Sequence, residues 1–377
     1  MTTPSSQLFP EVVDATSLIA KPTQTVFLPV GVEGEMDDDG DANVGQLYTL
    51  STASEAHDAF GADSPISKVI DAVLDGGAAP VIAGASASGE APTLDERKEV
   101  WDALASEPSV RLRLTDDVAQ ATLVALAESC EDAELVQNKQ ISLVGMDAGT
   151  TISGLIAAAA AISSTRSCLI APAVYDRDGV LQSGSYAAAI VASMVGINDN
   201  LADDLDLQVI PLLAAIEKDA LGNPLFRNKV QGGTAINEFE TALQGGVSPL
   251  APGLLPGTVD ITHLRTTYTG NSSYDALATR LIVDQLFVDV RDYVKASGFL
   301  RRGNTQANRN ALAAAVTALL DERANWLEPV TLANNTVGYG VSVISSPDNR
   351  QLTVSYQGRV VRGIQTIQIA PVLTIPV

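Results

Sequence analysis

Aromatic side chains make up only 5% of this 377-residue chain, which has just two histidines, two cysteines and four methionines. Each shortage narrows what the protein can be. With so few rings the core must be built from Ala, Val, Leu and Ile, which a 46% hydrophobic fraction supplies. Cys130 and Cys168 lie far apart in a chain that opens Met-Thr-Thr-Pro, with no basic and then apolar stretch behind it. That pattern predicts synthesis in a reducing compartment, without a disulfide framework. His57 and His263 have no Cys, His or Glu at metal-ligand spacing and read as surface or packing residues. Basic residues are scarce too. Against 45 Asp and Glu stand 23 Lys and Arg, giving a net charge of −22 and a pI near 4.3. Such a surface repels phosphate backbones and anionic headgroups, so neither nucleic acid nor a membrane is expected as a partner. Long apolar runs are missing as well. The most apolar window, Ile152 to Ile162, stops at Ser163-Ser164-Thr165-Arg166, well short of the roughly 18 to 20 residues that span a bilayer.

The motifs of common chemistry are also absent. No G-x-x-x-x-G-K-[ST] or G-x-G-x-x-G stands between a strand and a helix. The run Gly84-Ala85-Ser86-Ala87-Ser88-Gly89 misses the nucleophile-elbow spacing by one residue and reads as a flexible Gly/Ser loop. Glu33 to Asp41 reads as a solvated acidic loop. Its Asp37-Asp38-Asp39-Gly40-Asp41 lacks the glycine and glutamate positions of an EF-hand. Cys168, inside an apolar strand, reads as a small core residue. No catalytic residue, metal ligand or cofactor is therefore predicted.

What remains is regular structure in a chain of mean hydropathy +0.16, long enough for two or three domains. Strands are predicted at Gln24 to Val30, Gln46 to Leu50, Ala79 to Ala83, Gln140 to Val144 and Ser167 to Ala171. Helices are predicted between them, at Ser54 to Phe60, Ile66 to Leu74, Leu94 to Leu104, Asp117 to Ser129, Thr151 to Ile162 and Ser183 to Val195. This alternation is that of an α/β layer on a mostly parallel or mixed sheet. The small residues of the last helix are expected to serve close packing. From Ile261 onward the pattern is different. Thr-rich strand material leads into a helix from about Tyr274 to Ala296, with Arg280, Asp284 and Arg291 at its polar positions. A second helix follows from Asn304, its expected cap, to Trp326. Val341 to Ile344 and the terminal strands complete an α+β unit. The charge balance shifts at the same place, since residues 1–258 hold 12 Lys and Arg against 36 Asp and Glu, and residues 259–377 hold 11 against nine. An acidic, solvent-facing region joined to a near-neutral, protein-facing one would look like this, although solubility alone also accounts for an acidic excess.

The end of the chain alternates with period two. Leu352, Val354 and Tyr356 fall on one side of an expected strand, and Ile367 and Ile369 on one side of the next. The run from Val372 to Val377 is apolar and extended. A strand edge left uncovered invites pairing with another chain, so assembly by strand donation is the expectation.

In order, these elements resemble the contractile tail sheath proteins of bacteriophages. The resemblance rests on the strand Leu47 to Ser51, a helix closing on Phe60-Gly61, the amphipathic helix ending at Gly76-Gly77, and the buried strand Pro80 to Ala83. It continues through Leu169-Ile170-Ala171-Pro172-Ala173, Ser183-Gly184-Ser185-Tyr186-Ala187-Ala188, Leu243-Gln244-Gly245-Gly246-Val247, Arg265-Thr266-Thr267 and the helix Leu281 to Tyr293. Asn198-Asp199-Asn200-Leu201 departs from the family's usual motif there, and residues 95–140 match none of its elements.

The resemblance implies an α/β plus α+β architecture: an N-terminal arm over 1–20, an outward α/β part over 21–255 with an insertion at about 95–140, an inner α+β domain over 256–350, and C-terminal arm strands over 351–377. It implies no enzyme activity and no cofactor. It further implies a virion tail component assembled in the host cytoplasm, with hexameric rings of the same chain stacked into a helical sheath. Its other partners would be the tail tube protein and the baseplate and tail terminator proteins. Leu352, Val354, Tyr356, Ile364, Ile367, Ile369, Leu373 and Ile375 would form the inter-subunit arm. Arg291, Lys295, Arg301 and Arg302 would face the tube. The same features suit a phage-derived injection system or bacteriocin. The alternative from another class is a soluble α/β enzyme, such as a carboxylate-dependent hydrolase.

Overall fold

The computed structural model describes residues 27–198, 201, 205, 208–210, 212–231, 234–253, 255–270, 276–296, 304–333, 335–345 and 352–361. Nine strands build the main sheet: β1 (Val30–Met36), β2 (Tyr48–Leu50), β3 (Val81–Ser88), β4 (Leu112–Thr115), β5 (Ile141–Gly145), β6 (Ser167–Ala171), β9 (Val209–Ile210), β13 (Val247–Pro252) and β14 (Val259–Ile261). Their spatial order is β2-β3-β1-β4-β5-β6-β13-β14-β9. The six strands from β3 to β13 run parallel, while β2, β14 and β9 are antiparallel additions at the two edges. The mixed α/β reading therefore holds. Order reverses between β1 and β4, the topological switch point of a doubly wound sheet.

Helices cover both faces. On one side lie α2 (Pro65–Asp75) and α6 (Gly184–Gly196), and on the other α3 (Leu94–Ser106), α4 (Gln120–Leu135) and α5 (Ile152–Ile162). The short helix α1 (Ala53–Phe60) packs against α2. Local sequence sets their starts. Thr52 with Glu55 and Thr93 with Glu96 form reciprocal capping boxes at α1 and α3, and Ser64 caps α2 ahead of Pro65. The α2/α6 face is apolar: Ile66, Ile70, Val73 and the run Ala187 to Ala192 are fully buried. Close approach explains the small residues of α6. A Cβ on Gly184 would lie 2.4 Å from the backbone of Met146, and one on Gly145 would lie 2.1 Å from the backbone of Gly184.

Two expectations change in this layer. Glu33 is not on a solvated loop but inside β1, fully buried. The Gly84–Ser88 run is no loop either, because β3 continues through it paired with β1, with one bulge at Ser86. Segment 95–140 supplies β4, which sits between β1 and β5. That four-residue strand escaped the sequence reading because Arg113 interrupts its apolar pattern.

A smaller sheet of β7 (Val174–Asp176), β8 (Leu181–Gln182) and β10 (Leu213–Ile216), the hairpin β11 (Asn228–Gln231) with β12 (Thr234–Asn237), and the helix α7 (Glu238–Gln244) fill in between β6 and β13. Beyond β14 the chain turns to α8 (Leu277–Ala296) and α9 (Gln306–Glu322). The cap of α9 is Thr305, one residue after the expected Asn304. Three two-stranded ribbons accompany these helices: β15 (Leu327–Glu328) with β20 (Arg359–Val360), β16 (Val330–Thr331) with β17 (Val337–Gly338), and β18 (Ser342–Ser345) with β19 (Leu352–Ser355). Among the described residues, no helix is long and apolar enough to cross a membrane.

Candidate assembly surfaces

The last ribbon is where the sequence placed strand donation. β18 and β19 pair antiparallel, Ser342 opposite Ser355 and Val343 opposite Val354. Val354 and Tyr356 are half-buried against the chain's own core, while Thr353 and Ser355 between them are exposed, as period two requires. Ile344 points outward and is 60% exposed. Among the described residues each strand of the ribbon pairs with only the other. Two-stranded ribbons are marginal alone in water and gain from a third strand. Leu352 lies in β19; Ile364, Ile367, Ile369, Leu373 and Ile375 lie outside the described residues, as does the expected arm at 1–20.

Helix α8 holds two of the four expected tube-facing residues, Arg291 and Lys295, at its far end. Lys295 is exposed. Arg291 turns back instead: it pairs with Asp292 at 2.8 Å and donates to the Gln137 carbonyl at 3.2 Å, just past α4. Arg301 and Arg302 are outside the described residues. Arg280 and Asp284, at polar positions of the helix as expected, are nonetheless buried. They complete an ion cluster that fixes α8 to the α/β body. Arg166 on the loop before β6 donates to both oxygens of Asp284 at 2.8 and 3.0 Å and to Glu134 at 2.6 Å. Glu134 also accepts from Arg280 at 2.8 Å and Lys139 at 2.7 Å. These bonds, Arg166's first, hold the Glu134 carboxyl far below the usual carboxylate range. No periodicity could reveal this cluster, since its members lie up to 150 positions apart and meet only in the folded chain.

A doubly wound sheet usually binds ligands in crevices at the carboxyl ends of its strands. Here two such positions are occupied by the chain itself. At the switch point Arg97 reaches from α3 to Glu33 and Asp116, 2.7 Å from each. Glu33 also accepts from Ser86, from Trp101 Nε1 at 3.1 Å and from Thr115 at 2.8 Å. Burial pushes its pKa up to about 7 against the pull of Arg97. Beyond β5, the Glu217 carboxylate accepts from the Gly149 N–H ahead of α5, the place where a helix dipole would welcome an anion. Cys168 is fully buried beside Ser248, and burial pushes its thiol up to about 12, so it is no nucleophile at neutral pH. His57 bonds Asp71 at 2.8 Å, joining α1 to α2.

No protein-family model and no curated protein matches the sequence. Solved structures do. The sheath tail protein from Listeria innocua superposes with a TM-score of 0.65 at 10% identity, over 93% of this chain and 96% of that one. The sheath tail protein from Desulfitobacterium hafniense gives 0.60 at 10% identity, over 88% and 97%. The chain has the fold of contractile sheath proteins. A third match, the helical sheath of the anti-feeding prophage in its contracted state, gives 0.64 at 14% identity over 93% and 96%. The sheath fold thus extends over nearly the whole of this chain and of each partner in the comparison, with both the α/β body and the helix-and-ribbon segment inside it.

Proposed function

We propose that this chain is the structural subunit of a contractile tail sheath. It polymerises as hexameric rings of identical copies stacked around a tail tube, meets baseplate and tail terminator proteins at the two ends, and contracts to drive the tube through a host envelope. The observation behind this reading is end-to-end similarity to sheath structures, at TM-scores of 0.60 to 0.65. The occupied crevices support a structural role over the carboxylate-dependent hydrolase, because Arg97 and Glu217 stand where a doubly wound enzyme would take its ligand.

Copies join by strand exchange in this reading. The outer edges of β18 and β19 receive the arm strands of neighbours, and the chain's own arm, with Ile364, Ile367, Ile369, Leu373 and Ile375, continues into the next ribbon. Main-chain hydrogen bonds then persist while subunits change packing as rigid bodies. The α8 end faces the tube with Lys295 and the following Arg301 and Arg302, and Arg291 is set back against the α/β body. The acidic region faces outward. Deleting residues 364–377 tests the exchange: the expected product is a folded subunit that forms no tubes, and tubes of that truncation under negative stain would refute it. The anti-feeding prophage match favours equally a phage tail and a phage-derived injection particle, and the neighbouring genes, with or without a capsid protein, decide between them.

A further inference from the structure

The α3/α4 face of the main sheet buries two carboxylates and two arginines, Glu33, Asp116, Arg97 and Arg113. Glu33 on β1 and Asp116 just after β4 both accept from the same Arg97 nitrogen, Nη1. When both are ionised, two buried carboxylates thus share one guanidinium, leaving one negative charge over. Asp117, 3.7 Å from Arg97 Nε, and Glu35 on β1 are partly exposed and meet water. Arg113 on β4 has the opposite imbalance. It is fully buried, and its hydrogen bonds go to Ser129 at 3.0 Å, Gln140 at 3.4 Å and the Trp101 carbonyl at 3.2 Å, none of them a carboxylate. Among the described residues it forms no salt bridge. A buried charge without compensation is strongly unfavourable.

The two imbalances are neighbours. Arg113 and Thr115 alternate along β4 and so share one face of the sheet, about 6.6 Å apart. Thr115 donates to Glu33. Trp101 bridges the same gap from α3, its indole N–H on Glu33 and its carbonyl on Arg113. The groups facing Glu33 are therefore Arg97 and Trp101 from α3, Ser86 from β3, Thr115 and Arg113 from β4, and Asp116 and Asp117 from the turn after it.

We propose that Glu33, Asp116, Arg97 and Arg113 form one charge-neutral lock that clamps α3 onto the sheet, with Arg113 as the counter-charge of the surplus carboxylate. The opposite face is held mainly by apolar burial. The lock responds to pH. Removing Arg113 leaves a net negative charge that a proton on Glu33 or Asp116, both raised by burial, can cancel, so the damage is greatest where both must stay ionised.

The test is a double-variant cycle in the full chain, Arg113→Met, Glu33→Gln and both together, followed by urea unfolding at pH 8 and pH 5.5. Arg113→Met is expected to lower the folding equilibrium constant at least tenfold more at pH 8 than at pH 5.5. At pH 8 the double variant is expected to be at least tenfold more stable than the product of the single effects, and Arg113→Lys to restore most of the loss. Amide exchange in α3 rises with the single substitution while α2 and α6 stay protected. Single effects that multiply within twofold, or a loss equal at both pH values, overturn the proposal. Should Arg113→Met not fold at all, the proposal requires the double variant to fold, and its failure would overturn it as well.

Discussion

Replacing Asp284 with Ala removes from α8 the carboxylate that binds both terminal nitrogens of Arg166 at 2.8 and 3.0 Å. Arg166 is fully buried and stays behind. Deleting one partner of a buried ion pair costs about 3–5 kcal/mol, because the remaining charge loses its compensation. Glu134 still bonds Arg166 Nε at 2.6 Å, so the lower end, about 3 kcal/mol, is expected. Unfolding entropy is about 2.1 cal/mol/K per residue, so the midpoint of a chain this size should fall by about 4 °C. Because α8 is the element released, amide exchange should accelerate in α8 and at the ends of α4 and β6 before the apolar α2/α6 face responds. Calorimetry and native-state hydrogen exchange measure both effects. A loss under about 1 kcal/mol, or faster exchange spread evenly over the molecule, would refute the view that this cluster fastens α8 to the body.

Three further outcomes follow from particular contacts. Glu134 has a depressed folded-state pKa, so its stabilising contribution is complete above the ordinary carboxylate pKa and disappears as pH falls below it; Glu134→Gln should flatten that acid limb in urea unfolding measured from pH 6 to pH 3. Gly184→Ala forces a Cβ to within 2.4 Å of the Met146 backbone, which cannot yield as a flexible side chain could, and should cost about 3 kcal/mol by chemical unfolding. Ile344→Lys, at an exposed ribbon position, should leave monomer stability within about 0.5 kcal/mol yet prevent polymerisation, as sedimentation would show, since an edge lysine blocks strand addition.

Periodicity and capping residues made most of the body legible. Ile66, Val69, Ile70 and Val73 fix α2 by their spacing, and Ser167 to Ala171 is a strand in both readings. The Ser183-Gly184-Ser185 start of α6 announced a close approach, which Gly145 and Met146 now explain. The polar face was not legible. Glu33 reads as solvated because an acidic loop follows it, and only the fold shows Arg97, Ser86, Trp101 and Thr115 converging on its carboxylate. From the sequence Arg280 and Asp284 are no more than polar positions of a helix. A charge i,i+4 from its partner on a helix looks exposed until Arg166 and Glu134 arrive from elsewhere in the chain. For the assembly surface, the alternation through Leu352, Val354 and Tyr356 pointed to β19, but its partner β18, the one strand beside it among the described residues, comes only from the structure.

Negative-stain electron microscopy of the concentrated full chain tests the central claim most directly. A sheath subunit should give tubes or stacked rings of a single outer diameter, with six-fold end views. Small closed oligomers at every concentration, with no tube in any field, would contradict it.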